Sequence, residues 1–272
     1  MPVLPNTAPP PGQTGLQQHP PVRLELVPAV RSSDTLIFAP TYNERATIAP
    51  LLDALLGLSN RCDVLIVDDN SIDGTVDILS ARAASEPRLR LIVRSGKLGI
   101  GSAHKFGWAH ARAHGYARIV TMDADLSHDP TDVPRLLAVL DAGADVAFAS
   151  RFAPGGLLDY RGWRLFLSRS GNLAARWLLR LPITEYTTSL RAARLDRVPA
   201  GLTEDVPNEG YAFFLTCSVR FVRHGLRIAE IPIHFHDRKD GVSKIARVEI
   251  LRCMINLVRL AFQRNGTIAI KK

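Results

Sequence analysis

Three apolar runs in this chain each end in acidic residues, and each is followed by an amphipathic segment. The runs cover residues 36–39, 64–67 and 118–122. The acids that follow them are Glu44, then Asp68 and Asp69, then Asp123 and Asp125. This order is typical of the β–α units of a parallel sheet. Open sheets of that kind bind ligands beyond the carboxyl ends of their strands, so the sequence predicts a ligand site there.

Helix capping explains only part of this charge. Aspartate is a good helix N-cap, and capping is the favoured interpretation for Asp73, which precedes an amphipathic segment. Five acids on three strand ends exceed what caps require. The D-x-D pair, Asp123 and Asp125, offers hard oxygen ligands of the type that Mg²⁺ or Mn²⁺ prefers alongside substrate phosphates. The sequence therefore predicts a metal–diphosphate site.

The pattern from residue 34 onward alternates between strands and helices, which predicts an α/β fold with helices on both faces of a parallel sheet. The whole chain has 272 residues, 46% of them hydrophobic, which suffices for one large domain with a substantial core. A proline in the late run 226–233 favours an edge strand there. We expect strands near 35–40, 64–68, 90–94, 118–122 and 145–149, and helices near 44–57, 75–84, 102–114, 131–141 and 161–180.

The two ends of the chain differ from this middle part. Residues 1–32 are rich in proline, with seven prolines in the first 22 residues, and we predict a disordered tail that is not a signal peptide. Residues 242–272 predict an amphipathic helix whose charges interrupt every apolar stretch, so that it does not span a membrane. Either this helix packs on the core, or it lies at a membrane surface.

Charge and cysteine content narrow the class of protein. The net charge is +8, which suits nucleic acid, an anionic membrane or an anionic substrate. The chain shows no nucleic-acid module, so lipid phosphate and membrane are the better interpretations. Its three cysteines form no metal-ligand pattern, which favours a reducing compartment. We expect a cytoplasmic protein that associates peripherally with a membrane, with attachment either direct or through a membrane-anchoring partner protein.

Six ordered motifs carry a family resemblance. They are P-T-Y-N-E at 40–44, V-D-D-x-S-x-D-G-T at 67–75, a glycine-rich turn at 96–103, D-A-D-L-S-H-D-P at 123–130, S-R-F at 150–152 and D-R-x-x-G-x-S-K at 237–244. Together they resemble the inverting GT-A glycosyltransferases, and among these the dolichol-phosphate (polyprenol-phosphate) mannose synthases. The resemblance implies a GT-A fold, with a Rossmann-like, mostly parallel sheet flanked by helices over residues 33–241 and a C-terminal amphipathic helix.

The resemblance also implies an activity and a set of site residues. The expected reaction moves mannose from GDP-mannose to a polyprenyl phosphate, with Mg²⁺ or Mn²⁺ held by Asp123 and Asp125. Asp123, Asp125 and Arg151 are the expected catalytic residues. The expected acceptor-phosphate residues are Arg151, Arg164 and Ser168. The expected nucleotide-sugar contacts are Pro40, Tyr42, Glu44, Asp68, Asp69, Asp123, Ala124, Asp125, Arg238 and Lys244.

Two departures from the family pattern leave alternatives open. Thr216 stands where relatives carry a glutamate, and Ser189 lies in E-Y-T-T-S-L-R where D-x-T-S-G-F-R is usual. The first removes a carboxylate that a hydroxyl acceptor would need as a base, so it suits an ionised phosphate acceptor. The alternatives are a UDP-sugar donor such as UDP-glucose, and a catalytically silent nucleotide-sugar-binding homologue.

Three further groups of side chains are candidates for binding a ligand or a metal. Arg191 falls among the cations after the D-x-D that are candidates for the acceptor side. Lys97 is either a nucleotide contact or a solvated turn residue. His234 and His236 alternate along the late strand, but we find no third zinc ligand nearby in the sequence.

Overall fold

The computed structural model describes residues 22–28, 30–59, 61–208, 210–237 and 247–263. Its main feature is an eight-stranded sheet in the order β1-β4-β3-β2-β5-β8-β6-β9, and β7 and β10 pair separately. The strands are β1 Val22–Leu26, β2 Thr35–Thr41, β3 Asp63–Asp68, β4 Leu89–Arg94, β5 Arg118–Thr121, β6 Val146–Ser150, β7 Leu157–Leu158, β8 Arg191–Arg194, β9 Ile228–Pro232 and β10 His234–Phe235.

Helices connect most of these strands. They are α1 Ile48–Leu56, α2 Thr75–Ala83, α3 Ile100–Ala113, α4 Asp132–Asp141, α5 Gly162–Leu179, α6 Ala212–Arg223 and α7 Arg247–Phe262, with a short 3-10 helix at Ala200–Leu202. The pairs β4–β3, β3–β2, β2–β5 and β6–β9 are parallel, whereas β1 and β8 run antiparallel to their neighbours. The predicted α/β fold with a mostly parallel sheet flanked by helices is confirmed.

Alternate residues of the central strands face two separate hydrophobic cores. Phe38 of β2 points to the face covered by α3 and α6, and Ile37 to the face covered by α1, α2 and α4. Strands buried on both faces read as continuous apolar runs, which explains the strand signals in the sequence. The two faces together fix the directions of β2, β3 and β5 and hence the position of their carboxyl ends.

Two strands of the eight-stranded sheet were not predicted. β1 lies inside the segment that we expected to be disordered through residue 32, and it pairs with β4 along the edge of the sheet. That expectation is wrong for residues 22–26, because V-R-L-E-L carries strand-forming residues that the proline-rich composition of the tail obscured. β8 escaped prediction because its four residues, R-A-A-R, have neither an apolar run nor an alternating pattern.

One face of the C-terminal helix packs against the hydrophobic core. Leu257 and Leu260 of α7 are buried in the same cluster as Ala175 and Leu179 of α5. On its other face Leu251, Met254, Ile255 and Val258 are exposed, together with others of the same stripe. Among the described residues, no helix is both long enough and apolar enough to cross a bilayer.

Candidate active site

The acid-bearing ends of β3, β2 and β5 lie side by side at one edge of the sheet. Thr41 at the end of β2 pairs with Asp68 at the end of β3, and Phe38 pairs with Thr121 of β5. Each of the three following loops holds one non-glycine residue in the left-handed region, namely Asn43, Asn70 or Leu126, with φ of 55°, 60° and 60°. Asparagine tolerates this conformation, but a leucine pays about 1–2 kcal/mol for it. The D-x-D loop therefore stores strain beside its carboxylates.

The D-x-D carboxylates differ in exposure. Asp123 keeps 23% of its side chain accessible, whereas Asp125 is 7% exposed. The backbone N–H and the hydroxyl of Ser127 both donate to Asp125 Oδ1, at 3.0 and 2.6 Å. These two bonds fix the Asp125 carboxylate while Asp123 reaches the open edge. Two carboxylates beside a serine hydroxyl form an all-oxygen donor set, which fits Mg²⁺ or Mn²⁺.

The buried ring of His128 packs against the D-x-D loop. Burial lowers its pKa to about 4, so the imidazole is neutral at physiological pH. Its Nδ1 accepts from the backbone N–H of Asp123 at 3.4 Å. The 3.7 Å approach of Nδ1 to Asp123 Oδ2 is consequently not an ion pair at neutral pH. The ring meets Phe235 edge-on, with centroids 5.0 Å apart. His128 therefore shapes the loop.

The two carboxylates after β3 hold neighbouring loops together. Asp68 is fully buried and accepts from the Thr41 hydroxyl at 2.6 Å and from the Ser71 N–H and hydroxyl at 2.7 and 2.6 Å. Asp69 accepts from Arg94 Nε at 2.6 Å and from the N–H groups of Leu98 and Gly99. Burial raises the pKa of Asp69, and Arg94 partly offsets this. Both carboxylates hold the loops at this edge of the sheet together, and their direct contact with a nucleotide stays a prediction.

The loop after β2 presents side chains that a ligand can reach. Pro40, Tyr42 and Glu44 are all partly exposed. Lys97 lies with its Nζ 4.1 Å from the centre of the Tyr42 ring. The lysine is exposed and lies beside the predicted nucleotide loop, and its contact with a nucleotide stays a prediction. Asp73 was predicted to cap α2, and its Oδ1 accepts from the Thr75 N–H at 3.0 Å, but the N-cap residue of the helix is Gly74.

Arg151 is bound to a buried carboxylate that sequence reasoning missed. Its Nε and one terminal nitrogen lie 2.8 and 2.9 Å from the two oxygens of Glu185, which is fully buried. Burial alone would raise the pKa of Glu185, but Arg151 holds it below its usual value. The arginine also packs over Phe235, 5.0 Å from the ring centre. Glu185 occupies two of the donors that we expected to face an acceptor phosphate, and that contact stays a prediction.

The other predicted acceptor residues lie on α5. Arg164 and Ser168 are four residues apart and share a helix face. Arg164 pairs with Asp237 at 3.1 Å, and both side chains are more than a third exposed. Arg238 and Lys244, predicted to bind the donor, lie outside the described residues.

Two positions singled out by the sequence are structural. Arg191 is 3% exposed and donates to backbone oxygens and to the Ser218 hydroxyl, so it does not serve the acceptor side. The Thr216 hydroxyl is buried, donates to Asn208 Oδ1 at 2.8 Å and accepts from Asn256 Nδ2 at 2.9 Å. Thr216 therefore links α6 to α7. The Ser189 hydroxyl is buried without a hydrogen-bond partner among the described residues.

Comparison with known proteins agrees with this geometry. Residues 36–196 match the model of Glycosyl transferase family 2. The chain is 36% identical over 225 residues to a polyprenol monophosphomannose synthase of Mycolicibacterium smegmatis, covering 82% of this chain and 85% of that protein. It is equally identical, over 82% of its length and 92% of the relative's, to an undecaprenyl-phosphate mannosyltransferase of Micrococcus luteus.

Solved structures resemble the fold at lower identity. One is glucosyl-3-phosphoglycerate synthase from Mycobacterium tuberculosis in complex with Mn²⁺, UDP-glucose and glycerol 3-phosphate, with a TM-score of 0.62 and 20% identity. The alignment covers 85% of this chain and 80% of that one. At this identity the likeness supports the GT-A-like fold alone. From the family model and the two mannosyltransferase relatives together, we conclude that this chain is a glycosyltransferase and belongs to glycosyl transferase family 2.

Proposed function

We propose that this glycosyltransferase moves mannose from GDP-mannose to a polyprenyl phosphate, giving polyprenyl-phosphate mannose and GDP. The observation that carries the proposal is the adjacency of β3, β2 and β5, whose ends bring the loops with Glu44, Asp68 and Asp69 next to the D-x-D pair. The names of the two relatives, which specify polyprenol and undecaprenyl-phosphate acceptors and mannose, support the same reaction.

The donor nucleotide lies against the loop after β2 in this proposal. Glu44 offers carboxylate oxygens, which accept hydrogen bonds from a base or ribose but repel phosphate. Tyr42 offers a ring face, and Lys97 adds positive charge beside it. Asp68 and Asp69 support this loop and the 98–99 turn from behind. The diphosphate then extends toward Asp123, Ala124 and Asp125.

A divalent cation would be held by Asp123 and Asp125. When bound, Mg²⁺ or Mn²⁺ supplies positive charge that stabilises the leaving diphosphate. The bonds from Ser127 hold Asp125 in one orientation, so little rearrangement is needed to present its second oxygen. The partly exposed Asp123 completes an open donor set at the end of β5.

Arg164 and Ser168 receive the acceptor phosphate in this proposal. The ion pair of Arg164 with Asp237 is exposed, and pairs of that kind contribute only about 0–1 kcal/mol. A phosphate displaces the Asp237 carboxylate at little cost and gains the planar fork of the arginine. Ser168, one turn further along α5, adds a hydroxyl donor on the same face. Arg238 and Lys244 are proposed to clamp the donor diphosphate or the acceptor.

The transfer step needs little base catalysis. A phosphate monoester has a second pKa of about 6 and is largely ionised near neutrality. One of its oxygens attacks C1 of mannose from the face opposite the diphosphate. The new C1–O bond forms as the bond from C1 to the diphosphate breaks, and GDP leaves with the electron pair. The buried Thr216, in place of a carboxylate, is compatible with this nucleophile and not with a hydroxyl acceptor that needs a base.

The lipid acceptor requires a membrane-facing surface, and α5 and α7 provide one. Trp163, Phe166, Leu173 and Trp177 form a stripe along α5 and are 60–70% exposed. The adjacent α7 carries the second exposed stripe already described. Exposed arginines border both stripes: Arg161, Arg169, Arg176, Arg252 and Arg259. An apolar stripe with basic borders suits peripheral binding to an anionic membrane surface, and Arg164 lies on the same helix.

A donor panel with a short polyprenyl phosphate tests the proposal. GDP-mannose, GDP-glucose and UDP-glucose are each incubated with the purified chain and Mg²⁺, and mass spectrometry identifies the lipid product. We expect lipid-linked hexose from GDP-mannose. Product from UDP-glucose instead would assign the alternative donor. Calorimetric binding of a donor with no product from any of the three would indicate a silent homologue.

A further inference from the structure

A carboxylate and two imidazoles converge beside the D-x-D loop. One ligand atom each from Asp159, His234 and His236 lies within 4.8 Å of the others. His234 Nε2 is 2.6 Å from one Asp159 oxygen, and His236 Nδ1 is 3.2 Å from the other. The two imidazole rings lie 4.2 Å apart, centre to centre. Asp159 is the third ligand that we did not find from the sequence, because it lies 75 residues before His234.

The cluster forms where two very short strands pair. β7 and β10 contribute two residues each and run parallel. Leu157 N–H donates to Ile233 O at 2.9 Å, and Asp159 N–H donates to Phe235 O at 3.1 Å. So short a ribbon has little stability of its own. Asp159 directly follows β7, and the pairing of the two strands brings its carboxylate to both histidines.

The histidines lie on the face of the strand opposite Phe235. Successive side chains of a strand point to opposite faces. Phe235 packs next to the D-x-D loop. Its ring centre lies 5.0 Å from the centre of the His128 ring and 5.0 Å from the Arg151 guanidinium. His234 and His236 therefore lie on the other face of β10. The backbone N–H of His236 donates to Ser127 O at 3.0 Å, so the cluster borders the D-x-D loop without being part of it.

We propose that Asp159, His234 and His236 bind a transition-metal dication of the Zn²⁺ class at a site separate from Asp123 and Asp125. Two imidazoles and one carboxylate suit zinc or cobalt, whereas the all-oxygen D-x-D set suits magnesium or manganese. The three side chains are 42–45% exposed, which leaves room for a water as fourth ligand. The bound ion clamps β7 to β10 and holds Phe235 against Arg151. This proposal does not rest on the donor or acceptor assigned above.

Metal titration of the purified, chelator-stripped full chain tests the site. Zn²⁺ binding is followed by calorimetry, and Co²⁺ binding by its visible absorption, which reports the coordination geometry of the ion. We expect one tight Zn²⁺ per chain that persists in Asp125→Asn. The affinity should fall at least 10-fold in His234→Ala and in His236→Ala. Asp159→Asn keeps the shape of the carboxylate and should weaken binding without unfolding the chain, which circular dichroism checks. His224→Ala, which removes an exposed histidine at the end of α6, is the matched control and should bind like wild type.

Each other outcome overturns the proposal. No Zn²⁺ binding to the wild type would show that the three residues form only hydrogen bonds. Binding that survives in His234→Ala but is lost in Asp125→Asn would place the ion at the D-x-D. Loss in both variants would make the histidines ligands of the D-x-D metal rather than of a second ion.

Discussion

Replacing Glu185 by glutamine tests whether a buried ion pair fixes Arg151. Glu185 is fully buried, and its two oxygens receive Arg151 at 2.8 and 2.9 Å and the Thr187 N–H at 2.9 Å. Glutamine keeps the volume but removes the charge and turns one acceptor into a donor facing Arg151 Nε. Removing one partner of a buried pair costs about 3–5 kcal/mol. Since one acceptor remains, we expect a loss of about 3 kcal/mol in the free energy of unfolding.

Urea unfolding followed by circular dichroism measures this loss. At about 2 °C per kcal/mol for a chain of this size, the melting temperature should fall by roughly 6 °C. Glu25→Gln, at an exposed position on β1, is the control and should change stability by less than about 0.5 kcal/mol. A loss below about 1 kcal/mol for Glu185→Gln would show that the buried ion pair does not fix Arg151. Arg151 would then be available to bind the acceptor phosphate with most of its donors.

Three further predictions concern the acceptor, the core and the membrane surface. Arg164→Ala should raise the KM for polyprenyl phosphate at least 10-fold and leave calorimetric GDP-mannose affinity unchanged, whereas Arg197→Ala, at an exposed position outside α5 and α7, should change neither; equal loss of donor affinity would move Arg164 to the donor side. Burial lowers the pKa of His104 to about 3, so between pH 6.5 and 3 the unfolded chain takes up a proton that the folded chain does not, and stability falls as the pH falls. The free energy of unfolding of His104→Leu, minus that of the wild type, should therefore be about 2 kcal/mol larger at pH 5 than at pH 8. Urea unfolding that gives the same pH dependence for both proteins would contradict this. Trp163→Ser combined with Trp177→Ser should cut co-sedimentation with anionic vesicles at low salt about 10-fold or more with the fold intact, and unchanged binding would place the membrane surface elsewhere.

The central strands were predictable because each carries its own signal. β2, β3 and β5 are buried on both faces and appear as uninterrupted apolar runs, and the acids after them mark where the runs end. The adjacency of their ends follows from the parallel arrangement. The predicted first helix began too early, since the structure begins α1 at Ile48, after a turn that includes Glu44. Sequence patterns locate such elements better than their ends.

The parts that escaped prediction depend on contacts between distant segments. Glu185 meets Arg151 across 34 residues, and Asp159 meets His234 across 75. Arginine is usually a surface residue, yet Arg191 lies over the Phe148 ring inside the sheet. Local propensity treats arginine and glutamate as exposed because burial is costly unless they are paired. Their partners are known only once the chain is folded.

Turnover of GDP-mannose with a short polyprenyl phosphate, measured in Asp125→Asn and in chelator-treated wild type, tests whether the D-x-D pair holds a cation that the transfer needs. If Asp123 and Asp125 hold the cation that stabilises the leaving diphosphate, both conditions should lower the rate by on the order of 10²-fold or more. Mg²⁺ or Mn²⁺ should restore the treated wild type but not the variant. Asp77→Asn, an exposed aspartate on α2, should keep the wild-type rate. Undiminished formation of lipid-linked mannose in chelator, or by Asp125→Asn, would contradict the account.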